Sequence, residues 1–375
     1  MPNNSFLQFV LNKACARQIP VSGTLELTGR CNLSCKMCYI HKKENDPIAL
    51  QKELPTEFWL DFIAQARAAG TLTMLITGGE PLLRKDFKEI YLACKQAGFV
   101  VFVNTNGTLI TPEYVEFFKN YPPAKLNISL YGASEETYEK LCGIGQMYGR
   151  VSQAIRALRQ SGVAVKINYT VTELNHHDTE RIYAFAKELG IPVQHTTYMF
   201  PALRAGENGP CSACRAAPET AAEYFVKCDR EKYDKETFFL RCKACAQGHD
   251  LPRQDDDESM REPAERIFCR AGVSSYWLTY DGRLLPCGMM QTPSLPLSGR
   301  PFTEAWEELK ELTSHIYLPQ KCTNCKLRPY CEVCAAVCYG ESQKFDAVPE
   351  YMCRKTEAFL KKMKQLYEEA LHETQ

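Results

Sequence analysis

The chain reads as an α/β protein: a partial barrel of six β/α units, followed by a small cysteine-rich α+β extension. Three observations carry this reading. Short apolar runs alternate with amphipathic stretches through the first 200 residues. The alternation stops near Phe200, where a polar segment begins. The cysteines are unevenly spread: of 19, thirteen lie between Cys211 and Cys353.

The strand expectations are Thr24–Thr28, Leu72–Thr77, Val100–Asn104, Leu126–Leu130, Val163–Thr170 and Val193–Thr197. Their cores are short apolar runs that end in polar or Gly residues, the pattern of parallel strands buried on both faces. Helices are expected between them at Thr56–Ala69, Arg84–Ala97, Pro112–Asn120, Met147–Gln160 and Asp178–Leu189. Thr56 and Thr111 serve as caps, and Gly98, Gly162 and Gly190 as stops. In a barrel of this kind, ligands sit at the C-terminal ends of the strands. The domain expectation is a barrel over 1–200, a cysteine-containing bridge over 201–262 and a cysteine-rich unit over 263–375. The bridge has a Gly/Pro-rich start and an acidic stretch, Asp255-Asp256-Asp257-Glu258. Beyond it, Tyr276–Tyr280 and Arg283–Cys287 flank Asp281-Gly282, a two-residue hairpin turn signal. A last helix is expected from Arg354 to the end.

Charge argues by exclusion. Lys plus Arg equals Asp plus Glu at 45 each, and no basic block stands out. Nucleic acid and charged membranes are therefore not expected partners. No apolar run suits a signal peptide or a membrane helix, so a cytoplasmic location is expected. In a reducing compartment so many cysteines argue for metal or catalysis rather than disulfides. Cys15, Cys94 and Cys142 stand apart and read as ordinary thiols.

The most informative run is Cys31-Asn32-Leu33-Ser34-Cys35-Lys36-Met37-Cys38-Tyr39, just after the first strand. Three thiolates on one loop can hold three irons of a [4Fe–4S] cube and leave the fourth open. Spacing alone leaves zinc, a disulfide or chance as alternatives; the strand–helix context favours the cluster. A second signal, Thr77-Gly78-Gly79-Glu80-Pro81, ends the second strand, where two glycines leave backbone groups open to a ligand. A tight turn would need no Glu. Asn104-Thr105-Asn106-Gly107, Ser129 and Asn168 add polar groups at further strand ends, each of which could equally be a loop cap.

The Cys-x3-Cys-x2-Cys run with its aromatic, together with the Gly-Gly-Glu-Pro stretch, resembles the signature of the radical S-adenosylmethionine (SAM) enzymes. The resemblance implies that Cys31, Cys35 and Cys38 bind the catalytic cluster. It also implies that Gly78, Gly79 and Glu80 bind the methionine amino group of SAM, and that Tyr39, Asn106, Ser129 and Asn168 complete the SAM site. Many relatives carry Arg-Gly after the fourth strand; here Cys142-Gly143 stands there, with Arg150 as a substitute. The late cysteines resemble the SPASM extension of that family: Cys269 and Cys287 about the hairpin, then Cys322, Cys325, Cys331, Cys334, Cys338 and Cys353. By position, Cys322, Cys325, Cys331 and Cys353 would ligate an outer auxiliary [4Fe–4S] cluster. Cys269, Cys287 and Cys334 would ligate an inner one, whose fourth iron is open or takes a ligand from the bridge. Cys338 competes as a ligand, and a two-zinc ribbon is the alternative for the whole region.

The bridge holds Cys211-x2-Cys214, Cys228, Cys242-x2-Cys245 and His249. Zinc, an extra Fe–S ligand set and free thiols are equally open readings of it. SPASM relatives most often modify peptides. The leading expectation is therefore a maturase of a ribosomally made peptide, forming a thioether or C–C crosslink or inverting a stereocentre. Gly288 after Cys287, where sulfatase maturases carry Asp, argues against that activity. The residues before Thr24 are too few for a leader-binding domain, so leader recognition would need a separate protein or the bridge. An electron donor such as flavodoxin or ferredoxin is expected. The alternatives are a small-molecule dehydrogenase of the same superfamily and a non-catalytic Zn or Fe–S sensor. Asp281, Tyr276 and Glu80 are the candidate acid–base groups.

Overall fold

A computed structural model describes residues 5–40, 42–201, 204, 214–249, 251 and 269–373. Six parallel strands form the barrel wall: β1 (Ser22–Glu26), β2 (Thr73–Thr77), β3 (Val100–Thr105), β4 (Lys125–Ser129), β5 (Val165–Thr170) and β6 (Val193–Thr196). They pair in chain order, each through a helical crossover. The wall does not close on itself. Instead β7 (Ser275–Leu278) pairs parallel to the free edge of β1, followed by antiparallel β8 (Arg283–Leu285) and β9 (Leu295–Pro296). The cysteine-rich part thus shares one nine-stranded sheet with the barrel. This is a mixed α/β fold, a multi-stranded sheet core followed by a smaller helical, cysteine-rich C-terminal region.

The two faces of the wall differ in chemistry. Leu25, Met74, Ile76, Val101, Val103, Leu126, Ile128 and Ile167 are fully buried under the helices. The strand register puts Thr24, Glu26, Asn104, Asn127, Ser129 and Asn168 on the opposite, inner face. The expectation of two apolar faces is corrected in part: the inner face is mixed, since Leu75 and Phe102 share it with these polar residues. A closed barrel fills its interior with branched apolar side chains; this open one keeps polar groups among them.

Helix boundaries follow local signals. Thr111 caps Pro112–Asn120 by accepting from the Tyr114 amide at 3.4 Å. Thr56 is not a cap; Pro55 holds that position, and the Thr56 hydroxyl donates to Asp86 at 2.6 Å. Gly98, Gly162 and Gly190 end their helices with positive φ, as expected. Four further helices have weaker sequence signals: Ser5–Ala16, Glu135–Cys142, Phe302–Ser314 and Ala335–Ser342. The bridge is more ordered than its polarity suggests. It forms Pro218–Lys232 and Lys235–Gln247, both packed on the long last helix, Glu350–Glu373. The acidic stretch lies outside the described residues. The hairpin turn is also longer than expected. Thr279 pairs with Arg283, which leaves Tyr280, Asp281 and Gly282 as a three-residue loop. Gly282 takes φ +81°, the left-handed position of such loops.

Candidate active site

The cysteine loop leaves the C-terminal end of β1, and several contacts fix it. Arg30, just before Cys31, forms a bidentate pair with Glu53 at 2.6 and 3.0 Å. Arg30–Cys31 also makes a short parallel ladder with Lys42–Lys43. The far side of the loop docks on the end of helix Glu135–Cys142: the Ser34 amide donates to the Cys142 carbonyl at 3.1 Å, and the Lys36 amide to Leu141 at 2.9 Å. Cys142 is therefore not an isolated thiol. Its side chain hydrogen-bonds with Cys35, which with burial holds the Cys35 thiol well above its ordinary range. Burial raises Cys31 too, helped by Glu80 and the other two thiols. A thiolate at such places needs a cation beside it, and a coordinating thiol is deprotonated outright. With Cys38 beside them, these two thiols suit an Fe–S cluster.

The Gly-Gly-Glu stretch packs directly on this loop. The Gly79 amide donates to the Thr28 carbonyl and the Glu80 amide to the Arg30 carbonyl, both at 2.8 Å. A Cβ at Gly79 would lie 2.3 Å from the Arg30 oxygen, and one at Gly78 2.6 Å from the Thr28 oxygen. The glycines permit close approach of two backbones, so the expectation that they leave amides open to a ligand is corrected for Gly79. Glu80 is buried. Its Oε1 accepts from the Leu82 amide (3.1 Å) and the Thr105 hydroxyl (2.8 Å), and its Oε2 from the Asn106 amide (2.7 Å). Burial still pushes its carboxyl up to about 7. Glu80 thus ties the ends of β2 and β3 together.

Asn106 carries the tie to the cysteines. Its Nδ2 donates to Asn32 at 2.9 Å and lies 3.5 Å from the Cys31 sulfur. Ser129 and Asn168 face each other across β4 and β5. The Oδ1 atoms of Asn168 and of neighbouring Asn127 are buried with no partner. Buried acceptors are normally paired, so these two suit a polar ligand lying over the strand ends. The structure thus brings the polar strand ends named from the sequence around one mouth. Arg150 is exposed on its helix. Tyr276 bonds Thr71 at 3.0 Å beneath the outer helices, so it faces away from the lumen. Asp281 is held by Thr279 and Arg283 in the hairpin turn.

Sequence reading missed one group. Glu26, on the inner face of β1, is fully buried. Arg204 meets it end-on, with Nη1–Oε1 at 2.8 Å and Nη2–Oε2 at 2.7 Å, and the Trp277 indole donates to Oε2 at 2.8 Å. The guanidinium lies over the Tyr39 ring, 5.4 Å from its centroid, and the Arg204 amide donates to the Tyr39 carbonyl at 3.0 Å. Burial holds the Tyr39 phenol far above its ordinary range, and Glu26, Cys38 and Cys287 add to the rise. The group therefore sits between the first cysteine loop and the hairpin cysteines. A Glu in an otherwise uncharged first strand was the available signal; Arg204 had none.

The late cysteines separate into two sets. Cys322, Cys325, Cys331 and Cys353 line one small cavity, completed by Leu327, Arg328, Val333, Pro349 and Met352. Four thiols in a largely apolar wall with one cation suit a cube. Cys269, Cys287 and Cys334 form the second set: burial, with the Cys269 and Cys287 thiols adding, pushes Cys334 up to about 12. Cys338 is buried behind both sets in an apolar cluster with Val333 and Met352. Among the described residues the bridge cysteines lie in two separate places. Cys214 and Cys228 pack into the barrel core, whereas Cys242 and Cys245 face the last helix, with Cys242 3.9 Å from the Met363 sulfur. Cys211 lies outside the described residues. His249 is exposed, and its carbonyl accepts from Tyr330. Among the described residues no helix is long and apolar enough to cross a membrane.

Residues 25–186 match the family model described as the radical SAM superfamily. An AdoMet-dependent heme synthase of Methanosarcina barkeri is 28% identical over 328 residues, covering 84% of this chain and 91% of that protein. A probable GTP 3′,8-cyclase of Saccharolobus solfataricus is 29% identical over 268 residues, covering 70% of this chain and 81% of that one. Among solved structures, Streptococcus suis SuiB bound to S-adenosylmethionine superposes with a TM-score of 0.65 at 18% identity, covering 93% of this chain and 81% of that chain. At that identity the likeness is one of fold.

Proposed function

We propose that this chain is a radical SAM oxidoreductase whose substrate is a small anionic molecule of the tetrapyrrole class. A [4Fe–4S] cluster bound here would, once reduced and with SAM, supply radical chemistry for hydrogen removal from a substrate C–H bond. Cys31, Cys35 and Cys38 hold that cluster in this reading. Glu80 keeps the β2 and β3 ends in place, Asn106 steadies the Cys31 side of the loop, and Ser129 and Asn168 offer polar atoms to SAM. Cys322, Cys325, Cys331 and Cys353 hold an outer auxiliary cluster, and Cys269, Cys287 and Cys334 an inner one. A small electron-transfer protein such as a flavodoxin or ferredoxin provides the reducing electron.

The observation that carries the reading is the reach of the heme synthase similarity, which runs through both the barrel and the cysteine-rich part. It favours a small-molecule substrate over the peptide expected from the sequence. A peptide substrate is the second reading, supported by the shared architecture with SuiB, which has also been solved with its precursor peptide. The test is anaerobic incubation of the reduced protein with SAM and iron coproporphyrin III, a porphyrin with four propionates. The expected result is porphyrin-stimulated 5′-deoxyadenosine, at least tenfold over background, with a change in porphyrin mass. No stimulation by porphyrin, with turnover of a peptide instead, would overturn it.

A further inference from the structure

We infer that Arg204 is the anchoring subsite for a substrate carboxylate, an inference that rests on the tetrapyrrole reading above. A guanidinium offers five N–H donors on two usable edges, one formed by the two Nη atoms and one by Nε with the adjacent Nη. In this protein Glu26 occupies the first edge with both of its oxygens. The second edge is free: Arg204 Nε is buried and has no hydrogen-bond partner. Its side chain is only 9% exposed, so water does not readily satisfy it. A buried donor left unmade is costly; Arg215 and Arg300 also carry an unpartnered Nε, and what sets Arg204 apart is its contact with Tyr39, next to Cys38, and with Glu26.

The surroundings say what would use it. Glu26 positions the guanidinium, and the Trp277 indole adds a third donor to the same carboxylate. That third bond draws on Glu26 and leaves the guanidinium only partly neutralised. Glu26 and Tyr39 keep Arg204 firmly protonated despite its burial. A planar oxyanion fits the free edge with two parallel charge-assisted bonds. The position also suits a substrate. Tyr39 follows the third cysteine of the first loop, and the Trp277 ring packs against Gly288, next to Cys287. A carboxylate on Arg204 therefore holds its molecule between the first cysteine loop and the inner auxiliary set. Glu26 and Trp277 act through Arg204 as positioning residues.

The test is spectrophotometric titration with iron coproporphyrin III and with its neutral tetraamide. The proteins are wild type, Arg204→Lys and the charge-neutral double variant Glu26→Gln/Arg204→Gln. Lys keeps Glu26 paired but has no second fork, so the buried carboxylate is not stranded; iron content and circular dichroism check each fold. The expected result is wild-type binding of the acid ten- to a hundredfold tighter than the amide. Both variants should lose that preference and leave the amide affinity unchanged within threefold. Equal wild-type affinity for acid and amide overturns the subsite and leaves the tetrapyrrole reading intact. So does full acid affinity in Arg204→Lys. Wild type that binds neither porphyrin overturns the tetrapyrrole reading, and the subsite falls with it.

Discussion

Gly79→Ala is a one-carbon change aimed at the junction between the cysteine loop and the barrel. The new Cβ would lie 2.3 Å from the Arg30 oxygen, 2.6 Å from its carbon and 2.7 Å from the Gly29 oxygen. All three are backbone atoms, so no side chain can rotate away. Relieving the overlap needs a separation of about 1 Å, since ordinary carbon contacts start near 3.5 Å. A shift of that size breaks the 2.8 Å bond from the Glu80 amide to Arg30. Overpacking costs about 1–3 kcal/mol, and a lost hydrogen bond adds about 0.5–1.5 kcal/mol. The expected total is about 2–4 kcal/mol, concentrated where Arg30 leads into Cys31. The assay is anaerobic reconstitution, with bound iron, SAM affinity and thermal stability measured together. Loss of about four irons, or SAM binding weakened at least tenfold, with a lowered melting temperature, is the expected outcome. Gly149→Ala is the control: its helix site has nothing within 4 Å of the new carbon, and Ala should stabilise by about 1 kcal/mol. Gly79→Ala with full iron, wild-type SAM affinity and unchanged melting would refute the reasoning.

Glu80 supplies a pH prediction. Burial raises its carboxyl from 4.5 to about 7, so the folded state binds the proton more tightly than the unfolded state. Its contribution is therefore fully present below pH 4.5 and is lost as pH rises through 7, by about 3 kcal/mol. The stability of wild type minus that of Glu80→Gln should fall by about this amount between pH 4.5 and 8; a flat difference in paired denaturation curves would sink the assignment. Cys353→Ala should remove about four irons by emptying the outer set of one ligand, and unchanged iron would exclude that set. Cys242→Ala should keep all iron and lose about 1 kcal/mol of packing against Met363; iron loss there would give the bridge a metal role.

The barrel was legible because its signals are local. Apolar runs marked all six strands to within two residues at either end, and Pro112–Asn120 and Met147–Gln160 coincide with the expected bounds. The polar strand ends Asn104, Ser129 and Asn168 were legible too, whereas Asn127 joins them only when neighbouring strands are set in register. The same limit hid Cys142. It lies more than a hundred residues from Cys35 in the chain and meets it only because helix Glu135–Cys142 docks under the loop. The bridge helices were missed because their composition is polar. Their stability comes from packing Val226, Cys242 and Cys245 against Phe359 and Met363 of the last helix. Arg204 stands alone in its stretch, and only the tertiary fold brings it to Glu26.

The most direct test of the central claim is anaerobic iron quantification together with SAM cleavage, on wild type and on the variant carrying Cys31→Ala, Cys35→Ala and Cys38→Ala. Three cubes predict about twelve irons per chain, falling by about four in the variant, with 5′-deoxyadenosine formation abolished. Two or more zincs with little iron and no SAM cleavage by wild type would contradict the account and leave a metal-bound scaffold.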